Sequence, residues 1–130
     1  MATSYRIYLT DDDRFLLDMY AVKFKGAGHN VTACQGGAVL LDHLRKDAPP
    51  DAILLDVVMP DMDGFQVLET IRKEKLAPNT KIIMLSNQGQ DTDIEKAKQL
   101  GAAGYIVKAS AIPSEVLAET LAILEKGTLK

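Results

Sequence analysis

The stretch Ala52-Ile53-Leu54-Leu55-Asp56-Val57-Val58-Met59-Pro60-Asp61-Met62-Asp63-Gly64 decides the fold. Its first four residues are apolar without alternation, so both faces of this extended segment must be covered. Asp56 follows at once, and Pro60 to Gly64 reads as a turn into a helix. An all-apolar strand that ends on an acid and turns into a helix implies a parallel sheet with helices packed on both sides.

Outward from this stretch, short apolar runs alternate with longer amphipathic ones. Strands are predicted at Arg6 to Thr10, Asn30 to Cys34, Ala52 to Leu55, Lys81 to Leu85 and Tyr105 to Val107. Helices are predicted at Arg14 to Ala27, Ala38 to Lys46, Phe65 to Lys75, Asp93 to Leu100 and Ser114 to Lys126. Gly28 and Gly101 stand where a helix end wants a left-handed residue, Thr92 to Glu95 reads as a capping box, and Pro113 suits a first helical turn. The Ile82-Ile83-Met84-Leu85 run repeats the two-sided apolar character. The fold class is therefore α/β, a doubly wound sandwich of five strands and five helices.

Composition narrows the function classes. A chain of 130 residues suits one domain, which buries roughly two-thirds of its unfolded surface. No apolar run approaches the length of a membrane span. Met1 to Arg6 lacks the basic, apolar and small-residue succession of a secretory signal, and the single Cys34 cannot form an internal disulfide, so a cytoplasmic location is expected. The net charge of −3, with bases interleaved among acids as in Arg72-Lys73-Glu74-Lys75, offers no footprint for direct nucleic-acid binding.

In doubly wound sheets ligands bind beyond the carboxyl ends of the strands. At those ends the sequence places Asp11, Asp12 and Asp13, then Asp56, then Ser86, then Lys108. Each has an ordinary reading: a helix cap for Asp12 or Asp13, a turn residue for Ser86, a solvated charge for Lys108. Their coincidence at one rim is what the ordinary readings do not predict. Grouped carboxylates are ligands that Mg²⁺ prefers, and a lysine and a hydroxyl beside them suit an anion.

These residues resemble the receiver domain of two-component response regulators, over nearly the whole chain. The pair Asp11-Asp12, the segment from Leu54 to Gly64, Ser86, Tyr105 and Lys108 carry the likeness, with 30 positions from Asp56 to Ser86 and 22 from Ser86 to Lys108. The resemblance implies a flavodoxin-like (βα)5 fold with strand order 2-1-3-4-5. It further implies that Asp56 accepts a phosphoryl group from a phosphohistidine on a histidine kinase or phosphotransfer protein. Asp11, Asp12, Asp56 and the Val58 carbonyl would hold Mg²⁺, and Lys108 and Ser86 would contact the phosphoryl oxygens. Ser86 and Tyr105 would switch the face made by the fourth helix, fifth strand and fifth helix, where a downstream protein docks. A phosphorylation-dependent homodimer through that face stays open. Such a domain catalyses its own Mg²⁺-dependent phosphorylation and slow dephosphorylation without being a conventional enzyme. The reading is of one receiver domain over residues 1–130, with no output domain visible.

The chain departs from the family pattern at a few positions. Ala109 follows Lys108 where the family commonly has proline, and a trans bond is expected there because a cis bond before alanine costs roughly 3 kcal/mol. Asn87 stands at a position that is usually small. Val58 and Gln88 occupy positions that influence phosphoryl lifetime, and apolar Val58 is expected to orient no hydrolytic water. Thr10 reads as an ordinary strand residue. Asp61 and Asp63 read as turn residues outside the site. Two alternatives remain: a non-phosphorylated pseudo-receiver that only binds proteins, and an aspartyl-phosphate hydrolase, which typically carries a second acid where this chain has Val58. A flavodoxin-like carrier is disfavoured, because three aspartates after the first strand would repel a flavin phosphate.

Overall fold

The computed structural model describes residues 4–87, 89–108 and 112–126, and of Lys126 only the backbone. Along the chain run β1 (Arg6–Thr10), α1 (Arg14–Gly26), β2 (Asn30–Cys34), α2 (Gly37–Lys46), β3 (Ala52–Asp56), α3 (Gly64–Lys73), β4 (Lys81–Ser86), α4 (Asp91–Gln99), β5 (Gly104–Val107) and α5 (Pro113–Lys126). The strands form one parallel sheet in the order β2-β1-β3-β4-β5. The predicted α/β doubly wound, flavodoxin-like architecture is therefore the observed one, and β3 is its central strand.

Every residue of β3 is buried, which is why it carries no polar alternation. Ile53 and Leu55 join Tyr8, Ile82 and Met84 beneath Leu40, Leu41 and Leu44 of α2, Val67, Leu68 and Ile71 of α3, and Ala97 of α4. Ala52 and Leu54 join Ile7, Leu9, Ile83 and Leu85 beneath Leu17, Tyr20 and Phe24 of α1 and Val116 and Ile123 of α5. Strand pleating sends successive side chains to these two layers and keeps the strand ends for polar groups.

Two strands run one residue further than the sequence pattern indicates. Asp56 pairs with Leu85, and the Val57 amide donates to the Leu85 carbonyl at 2.9 Å, so Asp56 and Ser86 are the last residues of β3 and β4 rather than the first beyond them. Both side chains thereby inherit the rigidity of the sheet.

The helix ends were only partly legible. Gly28 and Gly101 adopt φ of +95° and +83°, as their positions after α1 and α4 require. The third helix does not continue to Lys75 but closes in the same way: Leu76 donates to the Ile71 carbonyl and Lys75 to that of Arg72, with Lys75 itself left-handed at φ +56°. The capping box expected at Thr92 to Glu95 does not form, because α4 starts earlier, at Asp91 after Gln90, and takes both residues into its body. A capping box forms instead at α3, where the Asp63 side chain accepts from the Gln66 amide and the Gln66 side chain accepts from the Asp63 amide. Asp61 serves α2, whose N-cap is the side-chain-less Gly36: its Oδ2 accepts from the Ala38 amide at 3.1 Å. Burial raises the Asp61 carboxyl pKa, but the amides of Ala38, Met62 and Gly37 outweigh it and leave the group below its ordinary value.

Candidate functional site

The carboxyl ends of β1, β3 and β5 bring acids and a lysine from distant parts of the chain into contact. Asp11 leaves β1 with its amide on the Cys34 carbonyl of β2, at 3.2 Å, and its Oδ1 accepts from the Asp13 amide at 3.0 Å. Asp13 caps α1 by accepting from the Leu16 amide, so of the three acids it is the cap, and Asp12 stays exposed at the rim. Asp11 and Asp56 are both buried. Lys108, just past β5, reaches between them, its Nζ 3.0 Å from Asp11 Oδ2 and 2.9 Å from Asp56 Oδ1. Asp11, Asp12 and Asp56 each offer an oxygen, and these lie within 4.8 Å of one another.

Two buried carboxylates thus share one partly buried ammonium, which cannot neutralise both. Burial, and then the charge of Asp11, push the Asp56 carboxyl up to about 6, against the opposing pull of Lys108. Burial would lower the Lys108 ammonium, but its bonds to Asp56 and Asp11 outweigh that and hold it above its ordinary value. The cluster keeps excess negative charge behind hard oxygen donors, and that donor set fits a divalent cation such as Mg²⁺.

Ser86, also buried, ends β4 beside this cluster, and its side chain shares a hydrogen bond with half-buried Tyr105 of β5. Burial raises the Tyr105 phenol, and the Ser86 bond only partly offsets that. Val58 is 67% exposed and, with exposed Asn87, borders a cleft beside the site. Gln88 and the Lys108–Ala109 bond, expected trans, lie outside the described residues.

Four features escaped the sequence reading. Gly64 packs so tightly on β3 that a Cβ there would meet the Asp56 carbonyl at 2.4 Å. Tyr20 of α1 lies inside the field of the cluster: burial raises its phenol, Lys108 lowers it, and Asp11 and Asp56 raise it again. Its helical spacing marks it only as a core residue, so no signal separated it from its neighbours. Asp93, inside α4, faces the cleft by Val58, and only the packing of α4 shows it. Thr10 is buried with its Oγ1 lacking a hydrogen-bond partner, a detail that its strand propensity does not reveal.

With this geometry in hand, residues 7–120 match the family model of the response regulator receiver domain. The chain belongs to the receiver domain family. The domain is 33% identical over 105 residues to the regulatory protein VanRc of Enterococcus gallinarum, covering 81% of this chain and 44% of that protein. It is 31% identical over 122 residues to the DNA-binding response regulator MtrA of Mycobacterium tuberculosis, covering 94% of this chain and 51% of that protein. It therefore spans about half the length of these curated relatives. The chemotaxis protein CheY4 of Vibrio cholerae superposes with a TM-score of 0.85 at 26% identity, covering 93% of this chain and 99% of that one. The receiver domain is thus a part of two-component signalling, and among its described residues no helix is long and apolar enough to cross a membrane.

Proposed function

We propose that this receiver domain is a phosphoacceptor, taking a phosphoryl group from a phosphohistidine of a sensor kinase or phosphotransfer protein onto Asp56. The observation that carries the reading is the Lys108 ammonium held between Asp11 and Asp56. Phosphoryl transfer passes through a loose transition state with charge spread over the equatorial oxygens, so positioning and neutralisation do most of the work. A carboxylate oxygen of Asp56 forms the new P–O bond while the P–N bond of the donor breaks. On this reading Lys108 and the Ser86 hydroxyl contact the phosphoryl oxygens. Asp11, Asp12, Asp56 and the Val58 carbonyl would hold Mg²⁺, which supplies the charge neutralisation that the acids otherwise lack.

The Ser86–Tyr105 hydrogen bond supports a route outward. A phosphoryl group competing for the Ser86 hydroxyl would change that bond and so bias the face of α4, β5 and α5 that a downstream protein reads. Within this reading residues 1–130 act as one receiver, in the cytoplasm, catalysing only their own phosphorylation and slow dephosphorylation. The net charge of −3 supports no direct contact with nucleic acid by these residues, whatever the longer relatives do with theirs.

The test is incubation with acetyl phosphate or a phosphohistidine donor, with and without Mg²⁺, followed by intact mass. The expected result is a Mg²⁺-dependent gain of one phosphoryl group that is lost in Asp56→Asn. An equal gain in that variant, or none in the parent, refutes the proposal.

A further inference from the structure

Beside the phosphoacceptor lies a cleft of about 260 Å³, lined by Val57, Val58, Ser86, Asn87 and Asp93. It adjoins Asp56 directly, since Val57 and Val58 follow it in the chain and Ser86 ends the neighbouring strand. The volume falls just short of the roughly 300 to 1,000 Å³ of typical ligand pockets, which suits a single small ring. Its walls are unlike the acid cluster itself. Two valines make one side apolar, Asn87 supplies an amide, and the charged group is Asp93, half-buried on the first turn of α4. Among the described residues the Asp93 carboxylate is in no ion pair and accepts no side-chain hydrogen bond, and no cation lines the cleft.

We infer that this cleft is the leaving-group subsite of the receiver, and that Asp93 makes it selective for N-phosphorylated imidazoles over acyl phosphates. The inference rests on the phosphoacceptor reading and names the donor class that the site prefers. An imidazole ring offers apolar carbons for Val57 and Val58 and, on the nitrogen that does not bear phosphorus, an N–H that Asp93 accepts in a charge-assisted hydrogen bond. The electron balance follows from that contact. As the Asp56 oxygen bonds to phosphorus, the electrons of the P–N bond pass to the ring nitrogen. A ring kept protonated at its other nitrogen then leaves as neutral imidazole, so no further proton or co-reactant is needed. A carboxylate leaving group arrives in the same cleft with like charge to Asp93, no N–H to offer and no cation to meet it.

The experiment compares phosphoimidazole with acetyl phosphate as donors to the 130-residue chain in Mg²⁺, reading the ratio of the two phosphorylation rates. Any loss of folded protein cancels in the ratio. Asp93→Asn is expected to lower the phosphoimidazole-to-acetyl phosphate ratio about tenfold, the scale of one charge-assisted hydrogen bond. Asp93→Glu, which keeps the charge, is expected to hold the ratio near the parental value. An unchanged or higher ratio in Asp93→Asn, with the parent phosphorylated normally, overturns the subsite while leaving the phosphoacceptor reading intact. A parent that takes phosphate from neither donor overturns both.

Discussion

Replacing Gly64 by alanine puts a methyl group where the structure has no room for one. The added carbon would sit 2.4 Å from the Asp56 carbonyl oxygen and 3.0 Å from both the Val57 Cα and the Met84 Cε. Met84 can rotate away, but the other two atoms are backbone. Restoring ordinary van der Waals contact with the carbonyl requires a separation of about 1 Å between α3 and the end of β3. The Gly64 amide opposes that separation through its 2.8 Å bond to the Val57 carbonyl. Overpacking of this kind costs roughly 1 to 3 kcal/mol, and a weakened hydrogen bond about 1 more, offset by under about 1 kcal/mol of helix propensity. A net loss of about 2 kcal/mol lowers the melting temperature by about 7 °C, taking roughly 2.1 cal/mol/K per residue for the entropy of unfolding.

The same displacement moves Asp56, and under the proposed function a misplacement of about 1 Å at a reacting group costs up to roughly a hundredfold in rate. Gly26 is the control, because nothing lies within 4 Å of its hypothetical Cβ and its φ is not left-handed. Gly26→Ala should raise stability by about 0.5 kcal/mol and leave phosphorylation untouched. Calorimetry and a Mg²⁺-dependent phosphorylation time course read both variants. A Gly64→Ala protein that melts with the parent and is phosphorylated at the parental rate would falsify the close-approach argument.

Three further outcomes follow from the structure. Lys75 holds a left-handed backbone where α1 and α4 use glycine, so Lys75→Gly should gain about 0.5 to 1 kcal/mol, seen as a melting temperature roughly 3 °C higher; a lower one contradicts the assignment. Asp61→Ala removes the cap of α2 and should cost about 1 kcal/mol at pH 7. Because the folded Asp61 carboxyl titrates below its ordinary 3.8, the stability it contributes is present above that value and lost as pH falls through the folded one. Thermal melts of parent and Asp61→Ala should therefore converge in strong acid, and a gap that persists there points to a cause other than charge. Val58→Asn should shorten the phosphorylated half-life roughly fivefold by giving a hydrolytic water one hydrogen-bond partner, and an equal or longer half-life removes that role from Val58.

What the sequence by itself determined is whatever one element carries within its own length. The unbroken apolar run of β3 announced a sheet covered on both faces, and the residue type at each strand end announced acids, a hydroxyl and a lysine, because parallel strands deliver their ends to a single rim. Gly28 and Gly101 were readable because glycine is the residue that adopts a left-handed backbone without strain. Lys75 was not, since the fold imposes that conformation on a residue with no preference for it. Contacts between elements belong to the tertiary structure alone. Asp61 caps a helix 23 residues before it, Gly64 presses on the carbonyl of Asp56, and the packing of α4 turns its exposed-looking acid Asp93 toward the cleft. Lys108 lies 97 positions from Asp11, yet the two sit 3.0 Å apart. Only the packing of β5 against β4, and of β3 against β1, decided that one ammonium would be shared between two buried carboxylates, and with it the charge imbalance on which the proposed chemistry of Asp56 rests.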